Sequence, residues 1–531
     1  MHPVLGTKAN QQDIWGGRGM RRLVVILLVL ALGVFSVSWT VEAASKGSVT
    51  IALSGEPPTM DPHRTSNFVG AMVWRWPYDT LLSRETGTGK IIPWLAEKYE
   101  LLEGTKKIKF WLRKDAVFSD GSPVTSKAMV WSISRVLKAA RQKKYFSSFD
   151  RIEIIDDKTF VWHNKTHDNG VLSRVTRWAG LMSLNAKGKK KAHLSRNTYG
   201  SGPYVLKSWT KGNKMVFVAN KKWWGRKQFP DMPNTVVLRR IKEAATRVKA
   251  LEAGEVDVAW GVLPQFVKAL QKNPKTNVKA VPAVRIMFLS FFSKHGGPFA
   301  NQKVRLAVNY AIDDALIRKT ILGGRADAIG GQLHPWNFSG YNPKRKWWGY
   351  DVAKAKSLLK EAGYGNGFKA ELIATNGRYP GDKPTCEAIA GMLKKIKINA
   401  TCNSQRFPLF KKYHRAYQAG KRKGAAMYYM GFGNGGGEPG LLFSGTTMCG
   451  GSWSGHCFKD FDAQVMKANA EPNPKKQHVE YDKATGMTKA KATAKVVAKI
   501  HDVLGYSNRI NWTPRHDETL YPWEISMKAT N

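Results

Sequence analysis

The clearest alternation of apolar and polar positions runs from Ile108 to Leu137. Ile108, Phe110 and Leu112 alternate with Lys109, Trp111 and Arg113, the period-two signature of a half-buried strand. Asp120-Gly121 then predicts a turn, since glycine accepts positive φ. Thr125 or Ser126 is positioned to cap a helix whose apolar residues Val130, Ile133 and Leu137 share one face. Further along, Pro384 to about Ile396 reads as a helix and Ile398 to Cys402 as a returning strand. Val256 to Ala259 reads as a strand ended by Trp260, and Ala425 to Met430 as an apolar strand.

The N-terminus follows a different rule. Arg21 and Arg22 precede an apolar run from Leu23 to Phe35, and Val41-Glu42-Ala43 supplies a small-residue cleavage site. The run is short for a membrane span. Residues 1–43 are therefore expected to be a cleaved signal peptide, with Met1 or Met20 as its start and an uncleaved anchor as the rival. No cysteine near the cut offers a lipid attachment point. The mature chain is expected outside the inner membrane, periplasmic or extracellular.

The motifs fall in an order that carries a family resemblance. Leu112-Arg113-Lys114-Asp115 and Phe118-Ser119-Asp120-Gly121-Ser122-Pro123, followed by a Trp-bearing helix, resemble the signature segment of the family 5 extracellular solute-binding proteins. Glu56-Pro57-Pro58-Thr59-Met60-Asp61-Pro62-His63 is similar to that family's opening phrase. Gly200-Ser201-Gly202-Pro203-Tyr204, Asn220 to Gly225, Ala253 to Asp257, Val304 to Asp313 and Tyr350 to Tyr364 continue the match in order. The resemblance implies an α/β chain with the two-lobed periplasmic-binding-protein fold (class II-like) and an extra inserted α/β subdomain. It implies lobe I from 44–93, 200–283 and 508–531, the inserted subdomain from 94–199, and lobe II from 284–507. It further implies a receptor of an ABC importer that binds a peptide or other small organic solute, docks on membrane permease subunits, works as a monomer, and needs no cofactor.

Composition agrees with large packed cores. Apolar residues make up 43% and aromatics 11% of 531 residues, which excludes a disordered chain and implies more than one domain. Formal net charge is +46. The leader contributes four basic residues against two acidic ones, so about +44 stays with the mature chain. Such a field attracts anionic surfaces. The lysines and arginines are spread along the chain, Lys189-Lys190-Lys191 being the densest run, and no nucleic-acid motif accompanies them. A whole-surface adaptation is favoured over nucleic-acid binding; a basic secreted polyanion-binding protein is one alternative reading.

An exported hydrolase or oxidoreductase is the other. The chain has no HExxH, Walker A or GxSxG. Gly431-Phe432-Gly433-Asn434-Gly435-Gly436 spells GxGxxG, but Gly437-Glu438-Pro439-Gly440 is expected to prolong the loop where a dinucleotide site needs a helix. His295, His334, His414 and His456 have no metal-ligand spacing and are expected on the surface or in packing. No catalytic or metal residues are assigned.

Four cysteines in an exported chain suggest two disulfides. Cys449 and Cys457 flank a short Gly/Ser loop. From Cys386 the expected helix descends roughly 15 Å; the expected strand climbs back roughly 13 Å to Cys402. The two sulfurs end level.

The candidate ligand-binding residues come from loops where the family places its cleft. Asn67 and Phe68 follow the opening phrase, and Trp260 faces the hinge. Trp336 is placed either to stack on a ligand or to pack between lobes. Arg378 is either a bidentate carboxylate anchor or a solvated loop arginine. Phe432 and Asn434 sit on the glycine loop, which is either a close backbone wall or a turn. In the peptide-binding branch of the family, acidic residues in the matching loop anchor a peptide's α-ammonium. Here Asn434 to Gly437 replace them and only Glu438 remains, so the cleft is expected to accept solutes without a free α-ammonium.

Overall fold

The computed structural model describes residues 47–528 apart from 66–67, 140–141, 336–337 and 434–436. The expected leader, Asn67, Trp336 and Asn434 lie outside the described residues. Among the described residues, no helix is long and apolar enough to cross a membrane.

One mixed sheet runs through most of the molecule. Its path is Ile398–Gln405, Phe368–Thr375, Ala426–Gly433, Thr276–Phe291, Ala494–Ser507, Val258–Trp260, Ser48–Leu53, Thr235–Arg240, Lys214–Ala219 and Tyr204–Thr210, with Ala326–Asp327 on the side of Ala494–Ser507. Thr276–Phe291 and Ala494–Ser507 are its two long members, antiparallel to each other from Thr276↔Ser507 to Ser290↔Ala494. Beyond the middle they part company: Arg285 to Phe291 also pair with Met427 to Gly433, while Leu504 to Tyr506 pair with Val258 to Trp260. They are the strands that cross from one half of the sheet to the other. Their register shifts between Pro282 and Ile286. Proline has no N–H for a ladder, so a bulge is the arrangement that tolerates Pro282 inside so long a strand. Arg285 stands in that bulge.

Three large apolar cores are present among the described residues, two of them flanking this sheet. One gathers Val49, Ile51, Trp76, Phe217, Val236, Trp260, Leu504 and Trp523. Another gathers Ile286 to Phe292, Val304, Leu372, Ile389, Met427 to Met430 and Val496 to Ala498. The third lies under a separate antiparallel sheet, ordered Ala96–Glu103, Lys107–Leu112, Thr159–Asn164 and Phe149–Ile154. There Ile108, Phe110 and Leu112 are buried, as their alternation requires.

The helix Ser126–Lys138 covers that sheet. Thr125 is its cap, accepting from the Ala128 N–H at 3.3 Å. Its buried face centres on Met129, Ile133 and Val136, with Val130 and Leu137 at the margin. The face is rotated from the purely apolar stripe because Ser126 and Ser132 are buried too. Ser126 donates to the Thr159 carbonyl, and Ser132 Oγ accepts the Met182 N–H at 3.1 Å.

The Gly-Ser-Gly-Pro block is explained by a chain crossing. A side chain on Gly200 or Gly202 would run into the backbone of Trp76 to Tyr78, and the Gly202 and Tyr204 N–H groups donate to the carbonyls of Pro77 and Trp76. Ser201 and the indoles of Trp94 and Trp224 all donate to the buried Asp79 carboxylate, at 2.8 to 3.1 Å. Cys386, in the helix Asp382–Lys394, is bonded to Cys402, with Cα atoms 5.7 Å apart, and Cys449 to Cys457, with Cα atoms 4.3 Å apart.

One local expectation is corrected. Pro439 and Gly440 do not prolong the glycine loop; they open the helix Pro439–Thr446, with Glu438 as the residue before it. Proline suits a first helical turn, where its missing N–H has no partner to lose.

Candidate ligand cleft

The bulge of the crossing strand sets the position of Arg285, and the C-terminal segment meets it there. Glu518 Oε2 lies 2.6 Å from Arg285 Nη2. Glu518 is 3% exposed, and its backbone takes a left-handed φ of 57°. Such a conformation is uncommon for a non-glycine residue and needs outside support. Support comes from the residues before it. Arg515 binds both oxygens of Asp517, at 3.1 Å from Nε and 2.8 Å from Nη2, and reaches Glu524 and the Arg84 carbonyl, each at 2.8 Å. Asp517 in turn accepts the Thr519 N–H at 3.1 Å. Burial pushes the Asp517 carboxyl up, but Arg515 overrides this and holds it well below the usual carboxylate range.

Aromatic rings line the same region. The Phe68 ring, at the start of the short helix Phe68–Val73, lies 5.9 Å from that of Trp260. The Arg285 guanidinium sits 5.8 Å from the Phe68 ring and 5.4 Å from that of Tyr379. Tyr379 donates its hydroxyl to the Gly431 carbonyl at 2.8 Å. Gly433 must lack a side chain: a Cβ there would lie 2.7 Å from Glu518 Oε2 and 2.8 Å from Arg285 Nη2. Phe68 and Trp260 are thus brought together.

The other expected residues are spread around this centre. Arg378 is exposed; its guanidinium lies 3.6 Å over the Phe407 ring and its Nε donates to the Tyr379 hydroxyl at 3.0 Å. It has no carboxylate partner among the described residues. Half-buried Phe432 packs toward Gly445 of the helix Pro439–Thr446, within its own core.

Glu438 is already engaged. Its Oε2 lies 3.2 Å from Arg174 Nε, and Arg174 also binds Asp168. Arg174 belongs to the helix Val171–Val175 of the third core, whereas Glu438 leads into Leu442 and Phe443 of the second. The pair therefore joins two cores. A side chain on Gly170 would overlap the Glu438 carboxylate, so that glycine makes its seat. Burial pushes the Glu438 carboxyl up, against the pull of Arg174.

The sequence reading missed Arg285, Tyr379, Asp502, Glu518 and Arg174. For Arg285 a signal existed: a lone charge inside the apolar run Val284 to Phe292 has to be paired or functional. The others depend on segments distant in sequence, which no local pattern relates.

The model of the bacterial extracellular solute-binding proteins, family 5 Middle, matches residues 90–453. The glutathione-binding protein GsiB of Pectobacterium atrosepticum is 29% identical over 398 residues, covering 73% of this chain and 74% of the relative. The periplasmic binding protein DppA from Helicobacter pylori, solved with the peptide STSA, superposes with a TM-score of 0.79 at 23% identity, over 92% of this chain and 99% of its own. A dipeptide-binding protein from Pseudoalteromonas sp. SM9913, solved with Met-Leu, gives 0.80 at 20% identity, over 91% and 100%. These structures share the two-lobed fold, and the chain belongs to the bacterial extracellular solute-binding proteins, family 5, the solute receptors of ABC importers.

Proposed function

We propose that the mature chain takes up a peptide or other small organic solute between its lobes, closes on it, and hands it to membrane permease subunits without chemical turnover. In this reading lobe I is formed by 44–93, 200–283 and 508–531, the inserted subdomain by 94–199, and lobe II by 284–507. The observation that carries it is the meeting of Phe68, Trp260, Arg285 and Glu518, from four distant segments, at the bulge of the crossing strands. Side chains gathered there are positioned to sense a ligand and the angle between the lobes at once, because closure pivots on few residues. Arg174–Glu438 then acts as a contact of the closed form. The protein acts as a monomer in the periplasm after loss of residues 1–43. Its relatives are named for glutathione, and a tripeptide-sized solute falls within the proposed class.

Native mass spectrometry of freshly isolated protein tests these statements together. The expected result is a mature chain beginning at or near Ala44, carrying a small solute that unfolding releases. A chain that retains Leu23 to Phe35 refutes export with cleavage. A bare chain that binds polyanions with steep salt dependence, and no small solute, refutes the receptor reading in favour of polyanion binding.

A further inference from the structure

Two buried carboxyl groups face Arg285, Asp502 from the other crossing strand and Glu518 from the C-terminal segment. Arg285 satisfies only Oε2 of Glu518. Glu518 Oε1 is buried with no hydrogen-bond partner among the described residues, and so is Oδ2 of Asp502. Asp502 stands opposite Val281 on the crossing strands, just before the bulge that holds Arg285. Both carboxyl groups lie in the field of one guanidinium. A buried acceptor with nothing to accept from is costly, and a charged one more so. The neighbouring wall is aromatic, with Phe68 against Trp260 and Tyr379 beyond the guanidinium. Ring faces attract cations.

We propose that Asp502 Oδ2 and Glu518 Oε1 form a subsite for a positively charged amino group of the bound solute, walled by Phe68 and Trp260. The proposal rests on the solute-receptor reading and names part of its ligand. It moves the cationic contact from the glycine loop to the crossing strands. The missing acids at 434–437 therefore do not remove amine recognition, which revises the expectation drawn from the loop alone. Glu438 is not the substitute, since Arg174 holds it.

The subsite is linked to protons. The groups facing Asp502 are Arg285 from the other crossing strand and Glu518 from the C-terminal segment. His501 and Lys499, on its own strand, bind Asp327 instead. The helix Phe68–Val73 and the strand Val258–Trp260 contain no charged residue, and Tyr379 brings a neutral phenol. Burial, reinforced by Glu518 and opposed by Arg285, raises the Asp502 carboxyl well above the usual carboxylate range. A raised carboxyl favours its protonated form in the empty site. An arriving ammonium favours the ionised form, so binding releases a proton from the protonated site and tightens as pH rises.

The test uses the mature full chain and matched probes: Met-Leu, glutathione and arginine, each with a free and an acetylated α-amino group. Thermal shift ranks the six, and calorimetry in two buffers of different ionisation enthalpy counts protons. The expected result is stabilisation by at least one free amine, weakened about tenfold or more by acetylation. Asp502→Asn should erase that preference and the proton release while the protein stays folded; if the variant does not fold, the proton count on the unsubstituted chain decides. Equal binding of acetylated probes, binding without proton release, or an unchanged preference in Asp502→Asn overturns the subsite and leaves the receptor reading standing. No binding by any of the six probes overturns the amine assignment, whereas loss of the receptor reading would show separately, as absence of any co-isolated solute.

Discussion

Asp517→Asn is the perturbation that most directly tests how the cleft's C-terminal wall is held. Asp517 is 4% and Arg515 2% exposed, and the two share contacts at 2.8 and 3.1 Å. Asparagine keeps the shape and can still accept from Thr519, but it removes the charge that offsets a buried guanidinium. Removing one partner of a buried pair costs about 3–5 kcal/mol, because the other charge is left stranded. Arg515 retains Glu524 at 2.8 Å and the Arg84 carbonyl at 2.8 Å, so the lower end applies, about 3 kcal/mol. The two partners bear this out in direction. Asp517 is held below its ordinary range by Arg515, and Arg515 is raised by Asp517 and Glu524 against its own burial. Urea unfolding followed by tryptophan fluorescence reads the change, since Trp523 and Trp94 lie in the same core. Arg515→Met should cost more than Asp517→Asn, because it strands two carboxylates. The double variant should cost less than the sum, by about 2 kcal/mol or more, as expected for groups in one network. Additive effects, or an Asp517→Asn within about 0.5 kcal/mol of the unsubstituted chain, would refute the claim that this pair fixes the turn presenting Glu518.

Acid should unfold the protein steeply. Burial, foremost, lowers His63, His334 and His414 to about 4 and His456 to about 3. The unfolded chain binds protons at these positions below about 6.5 and the folded chain does not, so their stabilisation is complete above that pH and is lost as pH falls toward 4. Each contributes about 1.4 kcal/mol per pH unit in that window, and Asp502, protonated in the folded state, opposes them by one proton. His414 is packed among Phe292, Phe410, Tyr428 and Trp453; His414→Phe should reduce the slope of unfolding free energy against pH by about one proton, and an unchanged slope would sink the assignment. Replacing Cys386 and Cys402 together by serine should lower stability by about 3 kcal/mol for a loop of 16 residues, and replacing Cys449 and Cys457 by about 2.5 kcal/mol for a loop of 8, compared by urea midpoints in oxidised protein.

Local chemistry determined what could be read from the chain alone. The strand at Ile108 to Leu112, the Thr125 cap and the Asp382–Lys394 helix with its returning strand follow from alternation, capping and helical period, all of which act within a few residues. Motif order identified the family for the same reason: each motif solves a local problem, as the two glycines at 200 and 202 do where they pass Pro77. Even so, the helix face at Ser126–Lys138 turned from its apolar stripe, because buried serines found distant partners at Thr159 and Met182.

The centre of the cleft obeyed no local rule. Arg285 and Glu518 are 233 positions apart, Phe68 and Trp260 come from two further segments, and Arg174 reaches Glu438 across the gap between cores. In sequence Glu438 stood as the one acid remaining beside the glycine loop; only the folded chain brings Arg174 and the seat at Gly170 to it. The sequence determined the family, the two-lobed fold that comes with it and the kind of protein. Which carboxylates pair with the protein's own arginines was decided by tertiary structure, because charge pairing depends on distance through space and not on spacing along the chain.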